Sequence, residues 1–328
     1  MRNRLIIVTL ALWGTLGAGA GRAQSPAAEA RDNAALRYWM AFAVMQDLPT
    51  DEATTDLLGR VAAGEAAWDE QRLGPILDAN RAALDIMRRG SRLPFCDWGL
   101  EYELGPATPI AHLARARVLA RLAVLEGIRL VDQEQFPQAI DTWVAGVRFS
   151  GHIAEGGSLI ALLSAQIGLM STLRALDRGL EEVSVDEQRR QIRETLVDLA
   201  DTGFDWGEAF QHERAGLEIA VRQLGAAADP AAEYQRRFGA LPYDGFSLPE
   251  QSDVLEFGRF MTRVSEVFQL PPDAARTRLD ELAADLETLH PMFQSTVPGL
   301  QRVNEARAEF DETKQALLRR LDSSRAGR

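Results

Sequence analysis

The chain is short of the residue types that most protein chemistry depends on: it has one cysteine, one lysine and four histidines among 328 residues. A single cysteine, Cys96, excludes an intrachain disulfide, so stability must come from apolar burial. The histidines, His112, His152, His212 and His290, stand far apart and match no zinc-binding spacing. Lys314 is the sole lysine, and the arginines are scattered rather than clustered. With a net charge of −12, no basic face is available for nucleic acid or an anionic bilayer. There is no Gly-x-Ser-x-Gly elbow, no phosphate-binding Gly-Lys-Ser/Thr loop and no dinucleotide fingerprint. No cofactor is indicated. Alternating strand patterns are almost absent, which leaves an all-α fold as the expectation.

The N-terminus carries the most specific pattern. Arg2 and Arg4 precede an uncharged, mainly apolar run from Leu5 to Ala20, and Gly21-Arg22-Ala23 supplies small residues at −3 and −1 of a cleavage point before Gln24. This is the pattern of a secretory signal peptide over residues 1–23. The run is 16 residues, short of the ~20 that span a bilayer. Export to the periplasm or medium is therefore expected, with a mature chain three charges more negative than −12. No later segment is expected to span a membrane.

Helical patterns follow one another from there. Asp32-Asn33 can cap a helix whose Leu36, Trp39, Met40, Ala43 and Val44 fall on one face. Others run from Asp51, through Ile76–Gly90, from Thr108-Pro109, and from Phe136-Pro137 to His152. Arg115, Arg117, Arg121 and Arg129 read as the wet edge of the helix after Pro109. Gly127, Leu130, Ala139, Trp143 and Gly146 sit at offsets like those of one tetratricopeptide unit, where small residues admit an aromatic wedge between two helices. Stepping 34 residues on loses the pattern, so an irregular, solenoid-like helical-pair region is expected rather than a regular array. Helices over 158–180, 184–200 and 204–224 complete a region spanning 24–224. Prolines and glycines in 225–252 suggest a linker. Apolar positions stepping by three and four in 253–328 suggest a helical hairpin or three-helix bundle, and a possible homodimer through that seam.

Residues 91–107 break the helical pattern with two prolines, two glycines and three aromatics, and read as an ordered loop. This loop and the next helix hold the candidate chemistry. Cys96, Asp97 and His112 are the residue types of a nucleophile, an orienting acid and a base, while Glu101, Glu103 and His112 are possible metal ligands. The plain alternative is packing by Cys96 and Trp98, a turn capped by Asp97, and a backbone bond from His112. Asp205-Trp206-Gly207 echoes Asp97-Trp98-Gly99, with Glu208 and His212 four apart on one face. His212-Glu213 lacks the second histidine of a zincin, since Gly216 stands there. Glu287-x-x-His290 has no second copy, and His290 and His152 read as helix-end residues.

The words Asn33-Ala-Ala-Leu-Arg-Tyr-Trp39, Cys96-Asp-Trp-Gly99 and His112-Leu-Ala-Arg-Ala-Arg117 together resemble a family of exported all-helical bacterial proteins without an assigned activity. The likeness covers residues 30 to 180. It implies a helical fold and a bacterial source, and no catalytic residues. Two functions remain open. One is an exported helical scaffold binding a protein or peptide. The other is an enzyme or a metal or small-ligand binder using the Cys96-Asp97/His112 cluster.

Overall fold

The computed structural model describes residues 32–180, 186–199, 203–238, 241, 243–295, 297 and 299–326. The export pattern of residues 1–23 lies outside them. The described residues are all-α, with thirteen helices: α1 Ala34–Val44, α2 Glu52–Ala63, α3 Glu70–Gly90, α4 His112–Asp132, α5 Phe136–Ala154, α6 Leu159–Gly179, α7 Asp186–Asp198, α8 Trp206–Gly225, α9 Pro230–Phe238, α10 Gln251–Val267, α11 Pro272–Leu286, α12 Pro291–Gln294 and α13 Leu300–Ala326. Residues from Asp32 onward group as one compact unit.

Local chemistry explains most of the starts. Asn33, Asp51, Asp69, Ser158 and Asp205 each accept a backbone N–H of the first turn through the side chain. Thr108 was expected to cap a helix beginning at Pro109, but α4 begins at His112. The Thr108 hydroxyl is already committed, donating to the carbonyls of Gly105 at 2.7 Å and Glu101 at 2.9 Å, which closes a 3-10 turn over Tyr102–Ala107.

α4, α5 and α6 pack mutually and form the centre. Trp143 of α5 is buried between its two neighbours. A Cβ on Gly127 of α4 would lie 2.1 Å from its Nε1, and one on Gly179 of α6 would lie 2.6 Å from its ring. Its N–H donates to the Val124 carbonyl at 3.2 Å. The aromatic wedge expected from the spacing of Gly127 and Trp143 is thus present, with Gly179 as its second wall. Around this centre α1 lies on α3, α2 reaches α4 and α6, and α7 lies on α5. α8 crosses α6 and carries α10; the path continues through α11 to α13, which returns to α6 and α7.

Several expected faces are assigned differently. α1 buries Ala34, Ala35, Tyr38, Ala41 and Phe42, so the stripe of Leu36, Trp39, Met40, Ala43 and Val44 points outward. The helix is apolar nearly all round, and its alanine side allows the closer approach to α3. The α4 arginines combine a solvated edge with cross-helix ties: Arg117 is exposed, and Arg115, Arg121 and Arg129 are half-buried. Arg129 makes a bidentate pair with Glu70 at 2.6 and 3.0 Å and reaches Asp78 at 2.9 Å; Arg117 donates to Ser164 of α6. α6 is long and apolar enough to cross a membrane by length and composition, contrary to expectation, and 67% of its apolar window is buried. Contacts with α2, α4, α5, α8 and α13 account for that apolarity. Within 225–252, α9 folds back on α8 and buries Tyr234. The C-terminal seam residues Leu300, Val303, Phe310, Leu317 and Leu321 are buried within this chain, so a dimer through these helices would have to use their polar outer faces.

Arg307 closes the C-terminal part. It is fully buried, donates to the Leu270 carbonyl at 2.7 Å and to Asn304 at 3.1 Å, and lies 4.9 Å over the Phe268 ring. The cation thereby meets the negative end of α10 rather than a carboxylate. Burial pulls its pKa down to about 10.

The wedge makes a paired prediction. Gly127→Ala forces a Cβ into the Trp143 indole and should cost ~1–3 kcal/mol in urea unfolding. Gly151→Ala on α5 meets nothing within 4 Å and should stabilise by ~0.5–1 kcal/mol through helix propensity. Equal effects at the two positions would contradict the wedge.

Candidate functional site

The loop after α3 is fastened to three helices. At the start of α1, Ala34 N–H donates to the Phe95 carbonyl, Asn33 donates to the Asp97 carbonyl, and Asp97 N–H donates to Asn33 Oδ1, each at 2.9 Å. At the end of α5, the Trp98 indole donates to the His152 carbonyl and Cys96 N–H donates to Glu155 Oε2, both at 2.8 Å. These bonds press Trp98 into an aromatic cluster. Its ring stacks on His112 of α4 at 4.4 Å and lies parallel to Phe42 of α1 at 6.2 Å. Trp39 stands edge-on to Trp98 at 6.2 Å and to His112 at 6.3 Å.

The catalytic candidates lie near one another, but their polar atoms are committed elsewhere or to nothing. The Asp97 carboxylate accepts from Gly99 N–H at 2.8 Å, closing a turn. Cys96 is buried, and burial, followed by the Glu155 and Asp97 charges, pushes its thiol far above the ordinary range. A protonated thiol is a poor nucleophile. His112 is buried, neither ring nitrogen has a protein hydrogen-bond partner, and burial pulls its pKa down to about 4. No hydrogen bond joins Cys96, Asp97 and His112, so the nucleophile–base–acid relay is not formed. Glu101 and Glu103 are exposed while His112 is buried. Among the described residues no group of three His, Cys, Asp or Glu converges in a metal-holding arrangement.

His152 stands at a helix end as expected, though uncharged, whereas His290 starts a helix rather than ending one. His152 is in the last turn of α5, but burial and then Arg148 bring its pKa down to about 4, so it is neutral rather than a cation answering the helix dipole. Its Nδ1 lies 2.6 Å from the Tyr38 hydroxyl. Burial, then Cys96 and Glu155, raises the Tyr38 pKa well above the ordinary value, so the phenol donates and the neutral imidazole accepts. His290 lies beyond α11 and caps α12, its Nδ1 accepting from Met292 N–H at 3.3 Å.

Two concavities flank this region. An open cleft of about 770 Å³ lies between the loop, the end of α5 and the start of α8, with Arg92, Arg148, Glu155, Asp205 and Glu208 on its walls. A smaller cavity of about 360 Å³ lies beyond His212, under the 3-10 turn. His212 lines both. Its Nδ1–H donates to the Gly157 carbonyl at 2.9 Å, and its ring stacks on Tyr102 at 5.1 Å. Gly157 permits this: its φ is +66°, and a Cβ there would stand 2.6 Å from the imidazole. His212 is legible in the sequence as a candidate, but its partner across the helix junction is not. The Gly156-Gly157 doublet before the Ser158 cap was the available sign of a close approach. Asp205 caps α8 on Glu208 N–H, whereas Asp97 closes a loop turn, so the two Asp-Trp-Gly words serve different geometries.

No protein-family model, curated protein or solved structure matches this chain.

The two low-pKa histidines predict acid sensitivity. The native state resists protonating His112 and His152, while the unfolded chain takes up those protons near pH 6.5. Their stabilisation is present above that pH and is lost as pH falls toward about 4. Burial raises the Glu155 pKa and works in the opposite sense above its ordinary value, a contribution that cancels between variant and parent. His112→Phe keeps the stacked ring and removes two unpartnered nitrogens. Its melting temperature should exceed that of the parent, with a shallower decline from pH 7 to 4.5. Parallel pH profiles would contradict the assignment.

Proposed function

We propose that this protein is an exported helical scaffold that receives an amphipathic helix of a partner protein on the outward face of α1. The carrying observation is the stripe itself. Leu36 is 47% exposed, Trp39 42%, Met40 51% and Val44 43%, at spacings of one helical face. Four large apolar side chains on an 11-residue helix form a concentrated apolar exposure for a folded surface. Trp39 is also braced edge-on against Phe42 at 5.6 Å and against Trp98. A braced tryptophan beside a flexible methionine is the composition of an interface anchor. A stripe at this spacing suits another helix, whose ridge can lie along it.

Charge favours a foreign partner over the other occupants. The chain carries −12, which opposes both an anionic lipid surface and a second copy of itself. The favoured partner is an apolar helical stripe flanked by basic residues. Export is supported by the Arg2, Arg4 and Leu5–Ala20 pattern. A catalytic role for Cys96, Asp97 and His112 has less support, because the relay is not formed and the thiol is held protonated.

Site-specific photocrosslinking tests the docking face. Benzoylphenylalanine replacing Met40 in native cells should give one discrete protein adduct. The same reagent at exposed Arg72 of α3 should not. Leu36→Asp in the Met40-labelled chain should abolish the adduct with a stability change within ~0.5 kcal/mol, as for an exposed site. Adducts only to lipid or to a second copy, or no adduct at all, would overturn the proposal.

A further inference from the structure

The smaller cavity has the construction of a ligand site, independent of the α1 face. Its volume of about 360 Å³ falls within the ~300–1,000 Å³ of small-molecule pockets. Most of its wall is apolar, including Ile110, Ile160 and Leu217. Among the described residues no arginine or lysine lines it. Two polar groups stand in this apolar setting without a full complement of partners. The Tyr102 hydroxyl is buried and has no protein hydrogen-bond partner. Glu213 makes one bond, Oε1 accepting Leu159 N–H at the start of α6 at 3.2 Å, and no arginine or lysine pairs with it among the described residues. Burial raises its pKa, opposed first by the Leu159 N–H and then by the adjacent His212.

A partly buried carboxylate without an arginine or lysine partner suits a cationic ligand. The surrounding field has the same sign. Asp97 and Glu208 add to burial in raising the Tyr102 hydroxyl to about 12. Tyr102 and Tyr234 line the cavity, and aromatic rings suit a cation as well as an apolar body. We infer that this cavity binds a small organic amine in its protonated form, with the ammonium on Glu213, a hydrogen bond to the Tyr102 oxygen, and a compact aromatic or alkyl body against Ile110, Ile160 and Leu217. Among the described residues an anionic ligand finds no arginine or lysine here, and a neutral one brings no charge to Glu213. His212 forms the wall toward the larger cleft.

The test is calorimetric titration of the full chain with phenethylammonium, phenylacetate and 2-phenylethanol, three probes sharing one body. The ammonium should bind, the alcohol should bind about tenfold more weakly, and the carboxylate should not bind. Glu213→Gln should weaken ammonium binding about tenfold, and Tyr102→Phe about fivefold. Both variants suit the fold: glutamine keeps a carbonyl oxygen for Leu159 N–H, and phenylalanine removes a hydroxyl with no protein partner. Circular dichroism melts confirm folding before titration. Binding of phenylacetate as tight as the ammonium, ammonium affinity unchanged in both variants, or no binding by any probe would each overturn the inference.

Discussion

One indole sets the spacing on which the other positions depend. Trp143 fills the gap between Gly127 and Gly179, and no other residue type at those two positions leaves room for it. Removing a buried tryptophan typically costs ~3–5 kcal/mol, a large share of the ~5–15 kcal/mol that holds a domain folded. Its influence is geometric as well. With α4, α5 and α6 held at one separation, the end of α5 presents His152 and Glu155 to the loop at Cys96 and Trp98. The α5–α6 connection likewise presents the Gly157 carbonyl to His212. Loop, cleft and cavity are thus hung from the trio that Trp143 spaces.

Local rules were legible in the sequence wherever one residue acts on its neighbours. Asn33, Asp51 and Ser158 cap helices as their types require, and the Gly127–Trp143 offset announced a wedged pair. What failed were choices between two acceptable faces or partners. α1 has apolar residues on both sides, so periodicity alone could not say which side meets α3; the answer lay in the small residues Ala34, Ala35 and Ala41, which permit the closer contact. Thr108 had a capping environment and a loop environment, and the loop carbonyls at Glu101 and Gly105 took its hydroxyl. Arg115 and Arg129 read only as a solvated edge because the acids they hydrogen-bond lie more than fifty residues away in sequence.

The candidate site divides in the same way. Chain order placed Cys96, Asp97 and His112 close together, and the fold keeps them in one neighbourhood around Trp98. Chemical competence depends on atoms rather than neighbourhood, however, and those atoms turn to Gly99, to Glu155 or to no partner. His212 and Glu213 were visible but had no apparent use, because what gives them one is the Gly157 carbonyl and the Leu159 amide across a helix junction. The cluster around Trp98 is therefore best understood as the brace behind Trp39. It turns an exposed side chain into a rigid one, which lowers the ordering cost of anything that docks there.

The outward face of α1 is the claim on which the functional reading rests, and thiol protection tests it most directly. Cys96 is buried, so a Met40→Cys chain has one accessible thiol. Maleimide should label it quickly in the purified protein and slowly in intact native cells, while Arg72→Cys labels equally in both. Equal labelling of the Met40 position in both settings would mean that no partner covers the stripe, and the scaffold reading would be wrong.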